Sequence, residues 1–206
     1  PNTIVLSSDS LTKSDIWKLR AVYDSGDPAT NATVPTLTVA STSENLSPGE
    51  TITGNTSGAT GRVIFGDAGS TSITYVPITG TFVAENVTGA TSGFTKAVSA
   101  VTAGDTNMTS KYELDTGQRD NFYDHGSIKL KAGQTAPGGR ITVVFDFFVH
   151  TGVGYLSVDS YTSAVGFDNV PSYTSPTTGT FVELRDCIDY RPRRTDGAAT
   201  IANIEL

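Results

Sequence analysis

The sequence predicts an all-β protein with one short N-terminal helix, and three observations carry that expectation. Threonine makes up about one residue in six and glycine supplies 21 of the 206 residues, while Leu, Lys and Glu, all good helix formers, are scarce. Apolar residues come in short runs, separated by clusters of Gly, Asp, Asn, Pro and Ser that turn the chain. A Thr- and Gly-rich segment occurs twice, each time in the grammar of a β-hairpin.

Taken in chain order, the first expected element is the helix, from about Lys13 to Arg20. Thr12 is placed to cap it, Asp15 stands in its first turn where a negative charge suits the helix dipole, and Leu11 and Ile16 are spaced as a hydrophobic staple. The turn-forming Asp24-Ser25-Gly26-Asp27-Pro28 closes this region, and Trp17, the only tryptophan, reads as a core anchor. Strands are expected at 36–40, 61–65, 72–76, 95–101, 111–114, 127–131, 141–150, 155–158 and 180–184. Ser127-Ile128-Lys129-Leu130-Lys131 alternates cleanly, as a strand with one wet face does. Val143-Val144-Phe145-Asp146-Phe147-Phe148-Val149 does not, which is the pattern of a strand covered on both faces.

The repeat is the most specific feature. Glu50-Thr51-Ile52-Thr53-Gly54-Asn55-Thr56-Ser57-Gly58-Ala59-Thr60-Gly61-Arg62-Val63 aligns with Glu85-Asn86-Val87-Thr88-Gly89-Ala90-Thr91-Ser92-Gly93-Phe94-Thr95-Lys96-Ala97-Val98, a period of 35 residues. Each copy reads strand, Gly, Thr-Ser-Gly turn, strand, so short strands are also expected at 51–53 and 86–88, and Gly58 and Gly93 are expected at positive φ. The segment 36–105 is poor in charge and lacks Trp, His and Cys. It reads as an inserted β repeat module within a host β domain made of 1–35 and 106–206, the host being a sandwich or barrel-like fold.

Composition bounds the function. The chain carries 14 Lys+Arg against 21 Asp+Glu, a net charge of −7, which argues against a dedicated nucleic-acid binder. The longest apolar stretch, at 141–149, is about nine residues and broken by Asp146, far short of the ~20 of a membrane helix, so no membrane insertion is expected. A single cysteine, Cys187, excludes a disulfide scaffold. The chain opens on Pro1 without Met and stops in the strand-like Ile204-Glu205-Leu206, which reads as a piece of something longer.

Three patches carry a resemblance. Leu11-Thr12-Lys13-Ser14-Asp15-Ile16-Trp17-Lys18-Leu19-Arg20-Ala21-Val22-Tyr23-Asp24-Ser25, the run Lys111 to Asp124, and Leu184-Arg185-Asp186-Cys187-Ile188-Asp189-Tyr190-Arg191-Pro192-Arg193 resemble a domain of unknown function in large structural proteins of tailed phages. The likeness is to long-tailed, myovirus-like marine and cyanobacterial phages. Gly49 to Thr60 is similar to a short β repeat that recurs in those virion proteins, and the second copy departs from it at Phe94, where the first has Ala59. The resemblance implies a non-enzymatic baseplate or tail-fibre component, located in the virion, with other virion proteins as partners. It brings no catalytic residues and no cofactor.

Two constellations stand out from the residues themselves. Asp115, Arg119, Asp120 and Asp124, with His125, crowd a Gly-containing segment between two strands; the spacing does not fit a calcium loop, and the expected role is a structural polar cluster with Arg119 paired to carboxylates. Tyr190, Arg191, Arg193 and Arg194 form the densest positive run in an acidic chain and are candidate partner contacts, through ion pairing rather than specific nucleic-acid binding. His125, His150 and Cys187 are too scattered for zinc, and no nucleophile elbow, phosphate loop or dinucleotide fingerprint occurs, so no catalytic, metal or cofactor residue is expected. The alternative function is a glycan-binding or adhesin module, with Tyr75, Tyr161 or Tyr173 exposed to stack on sugars of a host surface, although core or interface packing is the ordinary place for each of these rings. Strands that close against other copies would make a symmetric homo-oligomer, a trimer by analogy with fibres.

Overall fold

A computed structural model describes residues 2–5, 10–41, 46–119, 124–148 and 172–183. The fold is all-β. Its strands are β1 (Asn2–Val5), β2 (Ile16–Asp24), β3 (Thr36–Val39), β4 (Thr51–Gly54), β5 (Thr60–Phe65), β6 (Ser72–Thr79), β7 (Asn86–Gly89), β8 (Thr95–Thr102) and β9 (Thr106–Asn107). After a single 3₁₀ turn at Thr109–Lys111 come β10 (Tyr112–Asp115), β11 (Ser127–Leu130), β12 (Ile141–Phe147), β13 (Ser172–Thr174) and β14 (Phe181–Glu183). The chain divides into two compact units, one of Pro1–Asp9, Lys18–Glu113 and Lys129–Asp146, the other of Ser10–Trp17, Leu114–Ile128 and Phe147–Leu206.

The first unit holds a closed antiparallel barrel in the order β3-β6-β5-β4-β7-β8, with β8 returning to β3. Closure removes every free strand edge, which six short strands otherwise leave open to other chains. Alternate residues point inward: Leu37 and Val39, Ile52, Val63, Ile73 and Tyr75, Val87 and Val98 are buried, with Leu46, Ala59, Phe82 and Phe94 completing the core. Tyr75 and Phe82 meet edge to face, ring centroids 5.1 Å apart.

The barrel is built on the sequence repeat. Thr53 pairs with Thr88, its own repeat equivalent, where β4 meets β7, and Leu37 pairs with Ile73 where β3 meets β6. The β4–β5 hairpin (Thr53↔Thr60) matches the β7–β8 hairpin (Thr88↔Thr95). The β5–β6 seam (Val63↔Tyr75) matches the β8–β3 seam (Val98↔Val39), and both carry a register shift at the same place, next to Val63 and Val98. β3-β4-β5 and β6-β7-β8 are therefore two halves related by an approximate two-fold axis. Gly58 and Gly93, at φ 66° and 70°, sit in equivalent turns.

In the same unit lies a four-stranded sheet ordered β1-β12-β2-β9. The barrel packs on it through Ala21 and Tyr23 of β2, Val144 of β12, Ile64 of β5, Val76 of β6 and Ala32 of the β2–β3 connection. The barrel covers Val144 on one face of β12, and Val143 and Phe145 on the opposite face are fully buried too, so Ile141 to Asp146 is buried without a break as the missing alternation anticipated, whereas Phe148, just past the strand, is exposed. The expected helix from Lys13 to Arg20 is absent, and β2 stands there instead. Thr12 and Asp15, the supposed cap and first-turn residue, have φ of 54° and 55°, and the Phe148 N–H donates to the Asp15 carbonyl. Strand pairing through the β-favouring Ile16, Val22 and Tyr23 overrides a weak local helix signal. Trp17 is correspondingly no core anchor: it is 51% exposed and leans on Phe148, ring centroids 6.4 Å apart.

β10 and β11 pair as one two-stranded sheet. In the second unit, Ser10 bridges to Ser127, the Leu11 N–H donates to the Gly126 carbonyl, and Gly126 packs so tightly on Ile16 that a Cβ there would lie 2.7 Å from its Cδ1. β13 and β14 pair antiparallel, Tyr173 opposite Val182. The strand expected at 155–158 lies outside the described residues.

Candidate functional site

Among the described residues, the densest polar geometry is the pair of turns that the repeat creates on the barrel. Glu85, the first residue of the second copy, points its carboxylate at the turn of the first. It accepts from the Thr56 N–H at 2.6 Å, the Ser57 N–H at 2.9 Å, the Ser57 hydroxyl at 2.5 Å and, more weakly, the Val83 N–H at 3.4 Å. Glu50, the first residue of the first copy, does the same for the second turn, accepting from the Thr91 and Ser92 N–H groups, each at 3.0 Å, and from the Ser47 N–H at 2.9 Å. Each half of the barrel thus supplies the carboxylate that closes the other half's turn. Gly54 and Gly89 leave room for it: a Cβ on Gly89 would stand 2.6 Å from the Ser92 Oγ and 3.0 Å from a Glu50 carboxylate oxygen, and one on Gly54 would collide with the Glu85 carboxylate.

Both glutamates are buried, which by itself raises a carboxyl pKa, yet the hydrogen bonds outweigh that effect. Glu85 is held down to about 2 by the Ser57 hydroxyl and the N–H groups of Ser57, Thr56 and Val83. Glu50 is lowered against its burial by the Ser92 and Thr91 N–H groups, the Ser92 hydroxyl and the Ser47 N–H. Groups in this state are fixed anions at neutral pH. They organise backbone and have no proton to give.

Other acids of the first unit are engaged in the same way. Asp24 accepts from the N–H groups of Gly26, Gly138 and Gly139 at 2.7 to 3.0 Å, which hold its carboxyl low in spite of burial and tie the end of β2 to the 138–139 turn. Asp146 forms a buried ion pair with Arg20, whose Nε donates at 2.6 Å, and this lowers its carboxyl against the burial that would raise it. Tyr23, buried in the sheet, has its hydroxyl pushed up to about 12 by desolvation.

Of the residues singled out from sequence, Asp115 and Arg119 are joined by two hydrogen bonds of 3.0 Å, which raise the Arg119 pKa. The Asp115 Oδ1 also accepts from the Gly117 N–H at 3.0 Å, and the Asp124 N–H closes the loop onto the Gly117 carbonyl at 2.8 Å. Asp120 lies outside the described residues, as do Tyr190, Arg191, Arg193 and Arg194, and Tyr161. Tyr75 is not exposed for stacking: it is buried in the barrel, because its register on β6 points it inward. Tyr173 is half-exposed on β13. Among the described residues no group of three or more His, Cys, Asp and Glu is placed to hold a metal ion, and no helix is long and apolar enough to cross a membrane.

The roles of Glu50 and Glu85 escaped the sequence reading. The available signal was an acid at the same repeat position in both copies of a segment otherwise poor in charge. Comparison of the chain with protein-family models, curated proteins and solved structures gives no match.

Proposed function

We propose that the chain is a non-enzymatic structural component of a tailed-phage virion, from the baseplate or a tail fibre, in which residues 1–35 and 106–206 supply assembly contacts and the barrel is a rigid surface decoration. The resemblance of the 11–25, 111–124 and 184–193 segments to phage structural proteins supports the virion setting. The observation that carries a structural role is the use made of the acids: Asp24, Glu50, Glu85, Asp115 and Asp146 each accept hydrogen bonds from backbone N–H groups or arginine. Their charge is spent on turns, seams and one sheet, which suits a part that bears load.

The test is the solution mass of the 206-residue chain by light scattering at low and high salt. A stable symmetric homo-oligomer is expected, a trimer by analogy with fibres, with salt sensitivity if the Arg191–Arg194 run takes part in it. A monomer at both salts contradicts the assembly role. The glycan-binding alternative retains one observation in its favour, the exposure of Tyr173 on β13 and Phe181 on β14; binding on a glycan array that Tyr173→Ala abolishes would favour it.

A further inference from the structure

The two-fold arrangement of the barrel bears on what its halves can bind. Of the six seams in the closed barrel, only β4–β5 and β7–β8 lie within a half; β3–β6, β6–β5, β4–β7 and β8–β3 all join one half to the other. β3 pairs with no strand of its own half, and neither does β6. The core is shared in the same way, Leu37, Val39, Ile52 and Val63 from one half closing on Ile73, Tyr75, Val87 and Val98 from the other. Each turn is also closed by the other half's glutamate, Glu85 reaching the Thr56-Ser57 turn and Glu50 the Thr91-Ser92 turn. A half on its own has open strand edges, an uncovered apolar face and a turn without its carboxylate.

The seams on the axis pair equivalent residues, Thr53 with Thr88 and Leu37 with Ile73, which is the isologous geometry of a two-fold dimer interface. We propose that the three-stranded half is an association element whose partner is a second copy of itself, met within the chain in the closed barrel and available between chains when two molecules exchange halves. The interface is identical in both arrangements. What selects the closed form is the connection between the halves, residues 66–71, which is long enough to let β5 fold back beside β6 and whose Gly69 turns at φ 85°. Exchange becomes the favoured form when that connection is too short to reverse the chain. This inference concerns the barrel alone and stands whether or not the chain is a virion component.

The experiment removes residues 66–71 from the full chain, so that Phe65 runs directly into Ser72. In a single chain β5 and β6 then cannot keep the Phe65↔Thr74 pairing without drawing Ile73 off Leu37. Two versions of this shortened chain are made, one with Thr53→Cys and one with Thr88→Cys, both with Cys187→Ser, and they are unfolded, mixed, refolded and oxidised. The expected result is a particle of twice the mass of the parent chain's own particle with a native-like β signal by circular dichroism, and a disulfide linking a Thr53→Cys chain to a Thr88→Cys chain. A shortened chain that refolds to a particle of the parent's mass overturns the proposal. So does a doubled particle without the inter-chain disulfide, because its barrels are not exchanged, and so does a chain that loses its β signal, because exchange has then not rescued the barrel.

Discussion

Replacing Glu85 by Gln keeps the size of the side chain and removes the charge from the turn it closes. Three short hydrogen bonds, from the Thr56 N–H, the Ser57 N–H and the Ser57 hydroxyl at 2.5 to 2.9 Å, lose their anionic acceptor. The amide presents one accepting oxygen where the carboxylate presents two, and its NH₂ group faces a donor. A carboxyl held at about 2 in the folded state, against about 4.3 in the unfolded chain, corresponds to about 3 kcal/mol of stability. Water at the exposed Thr56 and Ser57 recovers part of this, leaving about 2–3 kcal/mol. The sign follows from the depressed pKa: the contribution is complete above the unfolded value near 4.3 and is lost as pH falls towards about 2. Urea unfolding followed by circular dichroism should therefore show Glu85→Gln less stable than the parent by about 2–3 kcal/mol at pH 7, with the gap closing as pH falls from about 5 to about 2. A gap below about 0.5 kcal/mol at pH 7, or one of the same size at pH 2 and pH 7, would mean that the Glu85 charge does not hold the turn.

Arg20→Ala removes the guanidinium hydrogen bond and charge that Arg20 supplies to the buried Asp146 carboxylate and should cost about 2 kcal/mol by the same unfolding assay, more than any loss from Arg119→Ala, whose guanidinium is solvated. Gly58→Ala and Gly93→Ala meet open space but force a left-handed φ on alanine, so each should cost about 1–2 kcal/mol, whereas Gly54→Ala, which also displaces the Glu85 carboxylate, should cost more than either. If the barrel is an inserted module, cleavage engineered at 27–33 and 103–107 should yield a 36–105 piece that keeps its β signal while the outer pieces stay associated; separation of the outer pieces would contradict the insertion.

What was legible in the sequence was local. The turns at Gly58 and Gly93 follow from a Thr-Ser-Gly sequence that needs a positive φ, and the hairpins around them from the strand-Gly-turn-strand order that both copies of the repeat share. The covered strand β12 shows in its missing alternation, since both its faces meet protein. The errors lie where distant partners decide. Lys13 to Arg20 carries credible helix signals, yet the segment from Ile16 is drawn into a sheet with β12, more than a hundred residues away. Tyr75 reads from the sequence as a core or interface ring, or alternatively a sugar-stacking one, and only the register against Val63 decides for the barrel core. Glu50 and Glu85 act on turns 28 to 42 residues away, and no local pattern reports that each copy of the repeat completes the other.

Glu50 and Glu85 hold the barrel as anions, each serving the opposite half. Titration of their side-chain carboxyl carbons by NMR on the intact chain reads this at the groups themselves. A Glu85 midpoint at about 2, with Glu50 below the ordinary glutamate range and both curves shifted when Ser57 and Ser92 are replaced by Ala, is the expected outcome. A Glu85 midpoint at or above about 4.3 would contradict it, because a carboxyl free to take up a proton there is not closing a turn.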